Sequence, residues 1–123
     1  MVKFTFCMRR KPGMSRQEFL TYWSGHHAEL AKSYAKVLNI RRYVQLHTLD
    51  HPLNDVIRKT RGTMEPFDGI AETWYDSLES LEQGFSTPAG REAGRKLRED
   101  EANFVDLSRT AGWVSEEKVF IKG

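Results

Sequence analysis

From Val2 to Arg9 the chain alternates, Val2, Phe4, Phe6 and Met8 on one face and Lys3, Thr5, Cys7 and Arg9 on the other, the period of a half-buried strand. Lys11-Pro12-Gly13 ends it. Ser15, followed three residues later by Glu18, is a capping-box pattern, and Phe19, Tyr22, Trp23, His26, Leu30 and Ala31 then recur at helical spacing. Gly25 costs about 1 kcal/mol relative to Ala inside a helix, which predicts a bend or break just before His26 and His27. The helix continues through Tyr34, Ala35 and Leu38 and stops near Asn39.

Ile40 to Leu49 alternates again and is predicted as the second strand, with Ile40, Arg42, Val44 and Leu46 on one face and Tyr43, Gln45 and His47 on the other. Asp50 to Pro66 carries two prolines, a glycine and, counting His51, four basic residues, and reads as a long connection with at most one or two helical turns around Leu53 to Lys59. Phe67 to Tyr75 is the third strand. Its small residues Gly69, Ala71 and Thr73 share the face a helix approaches, leaving Asp68, Ile70, Glu72 and Trp74 on the other. Asp76 or Ser77 caps a short helix with Leu78, Leu81 and Phe85; Thr87-Pro88 opens a second, charged and mostly solvated, running to Phe104. Trp113 to Lys122 reads as the last strand, strongest at Val119-Phe120-Ile121.

The order is β-α-β-β-α-β. It predicts an α+β chain with the ferredoxin-like split βαβ arrangement, a four-stranded antiparallel sheet with helices on one face, in a single domain over residues 1–123. The helix-free face is predicted to carry Tyr43, Gln45, His47, Asp68, Ile70, Glu72 and Trp74 with Thr5, Cys7 and Arg9, too greasy for solvent and too polar for a dry core. Docking two such sheets makes a homodimer whose combined barrel encloses a cavity for a small hydrophobic ligand.

Charge and composition narrow the function. Nineteen Lys and Arg against seventeen Asp and Glu are interspersed, with no basic stripe for a nucleic acid. No run approaches bilayer-spanning length, the N-terminal strand lacks a signal-peptide core, and the single Cys7 fits a reducing compartment; a cytoplasmic location is expected. The four histidines, at 26, 27, 47 and 51, have no metal-ligand spacing, so no metal site is expected.

R-K-P-G-M-S-R-Q-E-F-L-T-Y-W-S-G-H-H-A-E-L from Arg10 to Leu30, I-R-R-Y-V-Q from Ile40 and F-D-G-I-A-E-T-W from Phe67 together resemble the EthD-domain family of dimeric α/β-barrel proteins. The resemblance extends over nearly the whole chain, to Asp106 and Ser108. It implies a ferredoxin-like protomer, homodimerisation and small hydrophobic or polyketide-like ligands. The family is named for a protein associated with bacterial degradation of an ether fuel additive, and related barrels include isomerases, cyclases, decarboxylases and monooxygenases. Trp23 and His27 match the family's Trp-x-x-x-His spacing, whereas Glu29 stands where a proline is usual and His26 is an additional histidine. No cofactor is expected; haem enters only by analogy with other barrels of this shape.

Residue chemistry singles out His27 as a general base or acid, since imidazole titrates near neutrality; its alternative role is a helix-terminal histidine bonded to a backbone carbonyl. His26 and His27 lie about 100° apart on a regular helix, so one site is expected to use one of them. Tyr43 and His47 would hold or polarise a substrate oxygen, and Asp68 would orient a histidine or simply shape a turn. Trp23, His26, Gln45, Ile70, Glu72 and Trp74 are the candidate substrate contacts, with Glu72 expected to pair with Arg9 or Arg42. The reading is a cofactor-independent acid/base enzyme of isomerase, cyclase or decarboxylase type. The alternatives are a monooxygenase or its accessory protein, and a non-catalytic metabolite binder.

Overall fold

In the computed structural model, which describes residues 1–123, β1 (Val2–Met8), β2 (Arg42–His47), β3 (Gly69–Tyr75) and β4 (Ala111–Glu116) form one antiparallel sheet in the order β2-β3-β1-β4. With β1 and β3 in the middle, this is the α+β ferredoxin-like arrangement. The helices are α1 (Arg16–Tyr22), α2 (Ala28–Tyr34), α3 (Pro52–Arg61), α4 (Leu78–Ser86) and α5 (Pro88–Glu101).

The start of α1 is set locally. Ser15 Oγ accepts from the Glu18 amide at 3.1 Å while the Glu18 carboxylate accepts from the Ser15 amide at 2.9 Å, and Gly13, at φ 85°, makes the reversal out of β1. Between α1 and α2 the chain does not break at Gly25. It widens into a π-helical turn over Trp23–His27, with Trp23 and His27 buried and His26 exposed. A side chain at Gly25 would meet nothing within 4 Å, so this glycine contributes backbone freedom rather than room.

The buried core cluster is Met8, Phe19, Trp23, Phe104 and Val105. Burying an indole such as Trp23 stabilises the fold by roughly 4 kcal/mol before ordering costs. Its position requires Gly69: a Cβ there would lie 2.4 Å from Trp23 Cζ3. The small face of β3 does admit the helix.

Three sequence expectations are corrected. The alternation in β2 is right but its faces are inverted. Tyr43, Gln45 and His47 stand opposite Thr73, Ala71 and Gly69, and directly paired residues share a face, so all three point to the helix side. Arg42, Val44 and Leu46 join Trp74, Glu72 and Ile70 on the helix-free face. The inversion is tolerated because β2 is an edge strand, where helix cover is partial and polar groups find partners.

Second, α3 is a full ten-residue helix rather than a turn or two. His51 Nδ1 accepts from the Leu53 amide at 3.0 Å, Pro52 occupies the first turn and Gly62, at φ 65°, ends it, so residues that read as loop punctuation are the caps of a helix. Third, β4 stops at Glu116, which pairs with Val2; β1 begins there, so nothing remains to pair with the following residues. Phe120 and Ile121 are 94% and 90% exposed.

Candidate active site

A cavity of about 320 Å³ lies between the sheet and the helices of a single protomer. The expected chamber between two docked sheets is therefore not where the chemistry-bearing side chains converge. Phe4, Phe6 and Met8 from β1, Ala71 from β3 and Leu97 and Phe85 from the helices make the walls apolar; His27, Tyr43, Thr73, Arg98 and Glu101 supply the polar atoms.

His27 reaches this wall through the π-helical turn. Its Nδ1 lies 2.8 Å from Asp100 Oδ2, from the last turn of α5. Asp100 Oδ1 accepts from Tyr22 Oη at 2.6 Å and from Asn103 Nδ2 at 3.2 Å. Burial pushes the Asp100 carboxyl up, but the hydrogen bonds from Tyr22, His27 and Asn103 outweigh it and hold the carboxyl below its ordinary value. An ionised Asp100 accepts a proton donor at Nδ1, fixing the tautomer and leaving the Nε2 lone pair as the basic site. For His27 itself burial dominates, lowering the imidazole below its usual value against the opposing pull of Asp100, so the ring is neutral near pH 7 and able to take a proton.

His26 lies outside, its ring tilted against Tyr22, with Nε2 3.4 Å from Asp100 Oδ1. Both histidines thus reach one carboxylate, contrary to the expectation from a regular helix, and His27 alone lines the cavity. Tyr43 Oη accepts from Gln45 Nε2 at 2.7 Å, leaving its own proton free to donate, and burial pushes the phenol up beyond the weaker opposing effects of Gln45 and Trp23. Gln45 also donates to the Trp23 carbonyl at 3.1 Å, tying β2 to the π-helical turn. The Thr73 hydroxyl is buried in the cavity wall with no partner at hydrogen-bond geometry, and it lies near the Tyr75 phenol, which burial pushes up against a weaker lowering by Thr73.

The other sequence candidates lie elsewhere. His47 stacks on Trp23 at 5.0 Å and faces Gln45 Oε1 at 2.8 Å, but it is exposed and away from the cavity. Asp68 pairs with no histidine. Its carboxylate accepts from the Arg10 amide at 2.8 Å, Arg10 Nη1 at 2.7 Å and Arg16 Nε at 2.9 Å, joining the end of β1 to the start of α1. It borders a larger groove of about 630 Å³, open and polar, whose buried acid is consumed by these arginines.

Ile70, Glu72 and Trp74 are on the helix-free face, across the sheet from the cavity. Glu72 pairs with Lys3 at 2.9 Å, not with Arg9 or Arg42, because Lys3 is the side chain on β1 that shares its face and reaches it. Trp74 lies between Lys3 and Arg42, 5.0 and 4.9 Å from its ring, while Trp23, given above as a contact, lines the cavity. Arg9 is held by the Pro66 and Glu65 carbonyls at 3.1 Å each and covers the Phe67 ring.

Sequence reasoning missed Asp100 and Glu101, which sit in the R-E-D-E run of α5 that reads as a solvated face. The stripe Gly90, Ala93, Gly94 and Leu97 was the available signal: continued by one turn it reaches Glu101, then Phe104.

The EthD domain model matches residues 11–108, most of the chain. This chain belongs to the EthD domain family. An ethyl tert-butyl ether D (EthD) family protein from Bacillus halodurans C-125 is similar at 23% identity, over 96% of this chain and 99% of that one, with a TM-score of 0.63. A protein from Bacteroides fragilis described as dimeric, of ferredoxin-like fold and unknown function, matches at 15% identity over 94% and 95% with a TM-score of 0.58. SnoaB from Streptomyces nogalater, described as a cofactor-independent oxygenase, matches at 11% identity over 98% and 97% with a TM-score of 0.56. These similarities place the EthD domain's fold. No helix in it is long and apolar enough to cross a membrane.

Proposed function

We propose that this EthD domain is an enzyme that binds a small, largely apolar, oxygenated molecule and catalyses cofactor-independent proton transfer, of the isomerase, cyclase or decarboxylase type. The observation that carries the reading is the His27–Asp100 pair at 2.8 Å on the wall of an apolar cavity. His27 Nε2 takes a proton from an acidic C–H or O–H of the substrate; the imidazolium that results is stabilised by Asp100, and Tyr43 donates to the oxygen on which charge develops. The apolar walls keep water away and strengthen each of these interactions. His47 and Asp68, which do not reach the cavity, have no step in this mechanism.

The test is product formation from the molecule that co-purifies in the cavity, identified by mass spectrometry. Replacing the base, His27→Ala, lowers turnover by about 10²–10⁴-fold. Full turnover by that variant removes the assignment.

SnoaB's description favours a second reading, oxygenation without a cofactor, in which the same base forms a substrate anion that reacts with oxygen. Oxygen consumption accompanying turnover distinguishes it. A homodimer fits both readings: the helix-free face leaves Leu46 and Trp113 exposed on either side of Cys7 and Ile70, an apolar surface that a second copy would cover, and the Bacteroides fragilis protein is described as dimeric.

A further inference from the structure

We propose that Glu101 is the second proton carrier of the cavity, a carboxylic acid that donates to a substrate carbonyl oxygen while His27 removes the proton from the carbon beside it. The proposal rests on the reading of His27 as the base and extends it to a substrate class: apolar ketones with an acidic C–H next to the carbonyl.

Two consecutive acids at the end of α5 have opposite surroundings. Asp100 is turned to Tyr22, His27 and Asn103 and spent on their hydrogen bonds, whereas Glu101 lines the cavity and its carboxyl bonds to no other side chain. Burial is the main influence on it, and the Asp100 charge acts in the same direction, with only Arg98, one turn earlier on α5, opposing. Together they raise its pKa to about 7. Glu101 is also the last residue of its helix, where the negative end of the helix dipole disfavours a carboxylate. The titratable groups that share the cavity from other elements are His27 from the π-helical turn and Tyr43 and Tyr75 from the sheet. All are neutral near pH 7, because burial lowers the imidazole and raises both phenols, so none draws the proton off Glu101.

A carboxyl that holds its proton below about pH 7 and has no partner, on a wall made mostly of apolar side chains, gains its hydrogen bond when a ligand oxygen arrives. In the forward step the C–H bond breaks and its electron pair forms the C=C bond of an enol. The carbonyl oxygen takes the Glu101 proton as His27 Nε2 takes the one from carbon. Where the ketone carries a C=C bond between its β and γ carbons the enol is a dienol, so the imidazolium returns its proton to the γ carbon as the enol O–H returns its own to Glu101, and both groups are restored. The product is an isomer, and no oxidant, reductant or co-reactant enters.

The experiment uses 2-tetralone, a bicyclic ketone with acidic C–H bonds, as the probe for the full chain. Calorimetry gives its dissociation constant against pH. In the native protein this is flat below pH 6 and rises about tenfold per unit well above pH 7, as Glu101 loses the proton the ketone needs, while Glu101→Gln, nearly isosteric and always a donor, shows no such rise. Proton NMR in deuterium oxide gives exchange at the carbons beside the carbonyl, which Glu101→Gln slows by about tenfold or more and His27→Ala abolishes. Glu101→Asp, which keeps the acid one methylene further back, retains the pH dependence at reduced rate. If His27→Ala abolishes exchange but Glu101→Gln keeps the native rate and pH profile, Glu101 is not the acid and the base assignment stands. If His27→Ala exchanges normally, the base assignment falls instead. A native chain that neither binds nor exchanges the ketone at any pH overturns the substrate class.

Discussion

Removing the Asp68 carboxylate tests whether the first strand, the first helix and the third strand are held by one buried charge. Asp68 precedes β3 and accepts three hydrogen bonds, two from Arg10 and one from Arg16, at 2.7–2.9 Å. Hydrogen bonds to a charged group contribute about 1.5–3 kcal/mol each, but summing them overstates the loss. The carboxylate is 7% exposed, whereas the Arg10 and Arg16 side chains are 41% and 29% exposed and partly rehydrate once released. Relief of the carboxylate's own burial cost offsets more, so Asp68→Asn is expected to destabilise by about 2–4 kcal/mol.

Its pH dependence has a definite sign. Burial raises the Asp68 carboxyl, but the Arg10 amide and the Arg16 and Arg10 side chains outweigh it and hold the folded-state pKa below the ordinary value. The stabilisation is therefore complete above the unfolded pKa of about 3.9 and is lost as pH falls through the folded one. Urea unfolding followed by tryptophan fluorescence, at one protomer concentration, should show a constant gap between native and variant chains from about pH 5 to 8 that closes in acid. A gap below about 0.5 kcal/mol at neutral pH, or one that widens in acid, would falsify the clamp.

Two further substitutions test the packing around the cavity, beside the His27 and Glu101 variants already described. At Gly90 a Cβ would sit 1.7 Å from the Gly84 carbonyl oxygen, which cannot move without parting α4 from α5; Gly90→Ala should cost about 3 kcal/mol and lower Tm by about 10 °C, and a shift within about 2 °C would contradict the close crossing. Thr73→Val removes a buried hydroxyl that has no partner; it should stabilise the ligand-free chain by about 1 kcal/mol in urea unfolding, and a clear loss of stability would reveal a hydrogen bond at that site.

The cavity also explains why the walls of β1 and β3 differ. β1 contributes large apolar side chains, Phe4, Phe6 and Met8, whereas β3 offers Ala71 and Thr73 beyond the glycine that seats Trp23. Space for a ligand arises where the small residues of β3 are not met by another indole. The π-helical turn is what brings His27 to that space while keeping Trp23 on Gly69.

Much of this was legible from local pattern. The Ser15–Glu18 box, the alternation of β1, the caps at Ser77 and Thr87 and the small face of β3 all act within a few residues, so the order of elements and the ferredoxin-like class follow from the chain itself. The EthD motif likewise pointed to Trp23 and His27. What short-range pattern could not supply was the side of the sheet on which Tyr43, Gln45 and His47 would lie, because inverting a strand leaves its alternation unchanged and only pairing with Thr73, Ala71 and Gly69 selects a face. Nor could it supply the partner of His27. Asp100 lies 73 residues away, on a helix whose charge reads as solvated, and it becomes an orienting carboxylate only because α5 packs against the π-helical turn and buries it there.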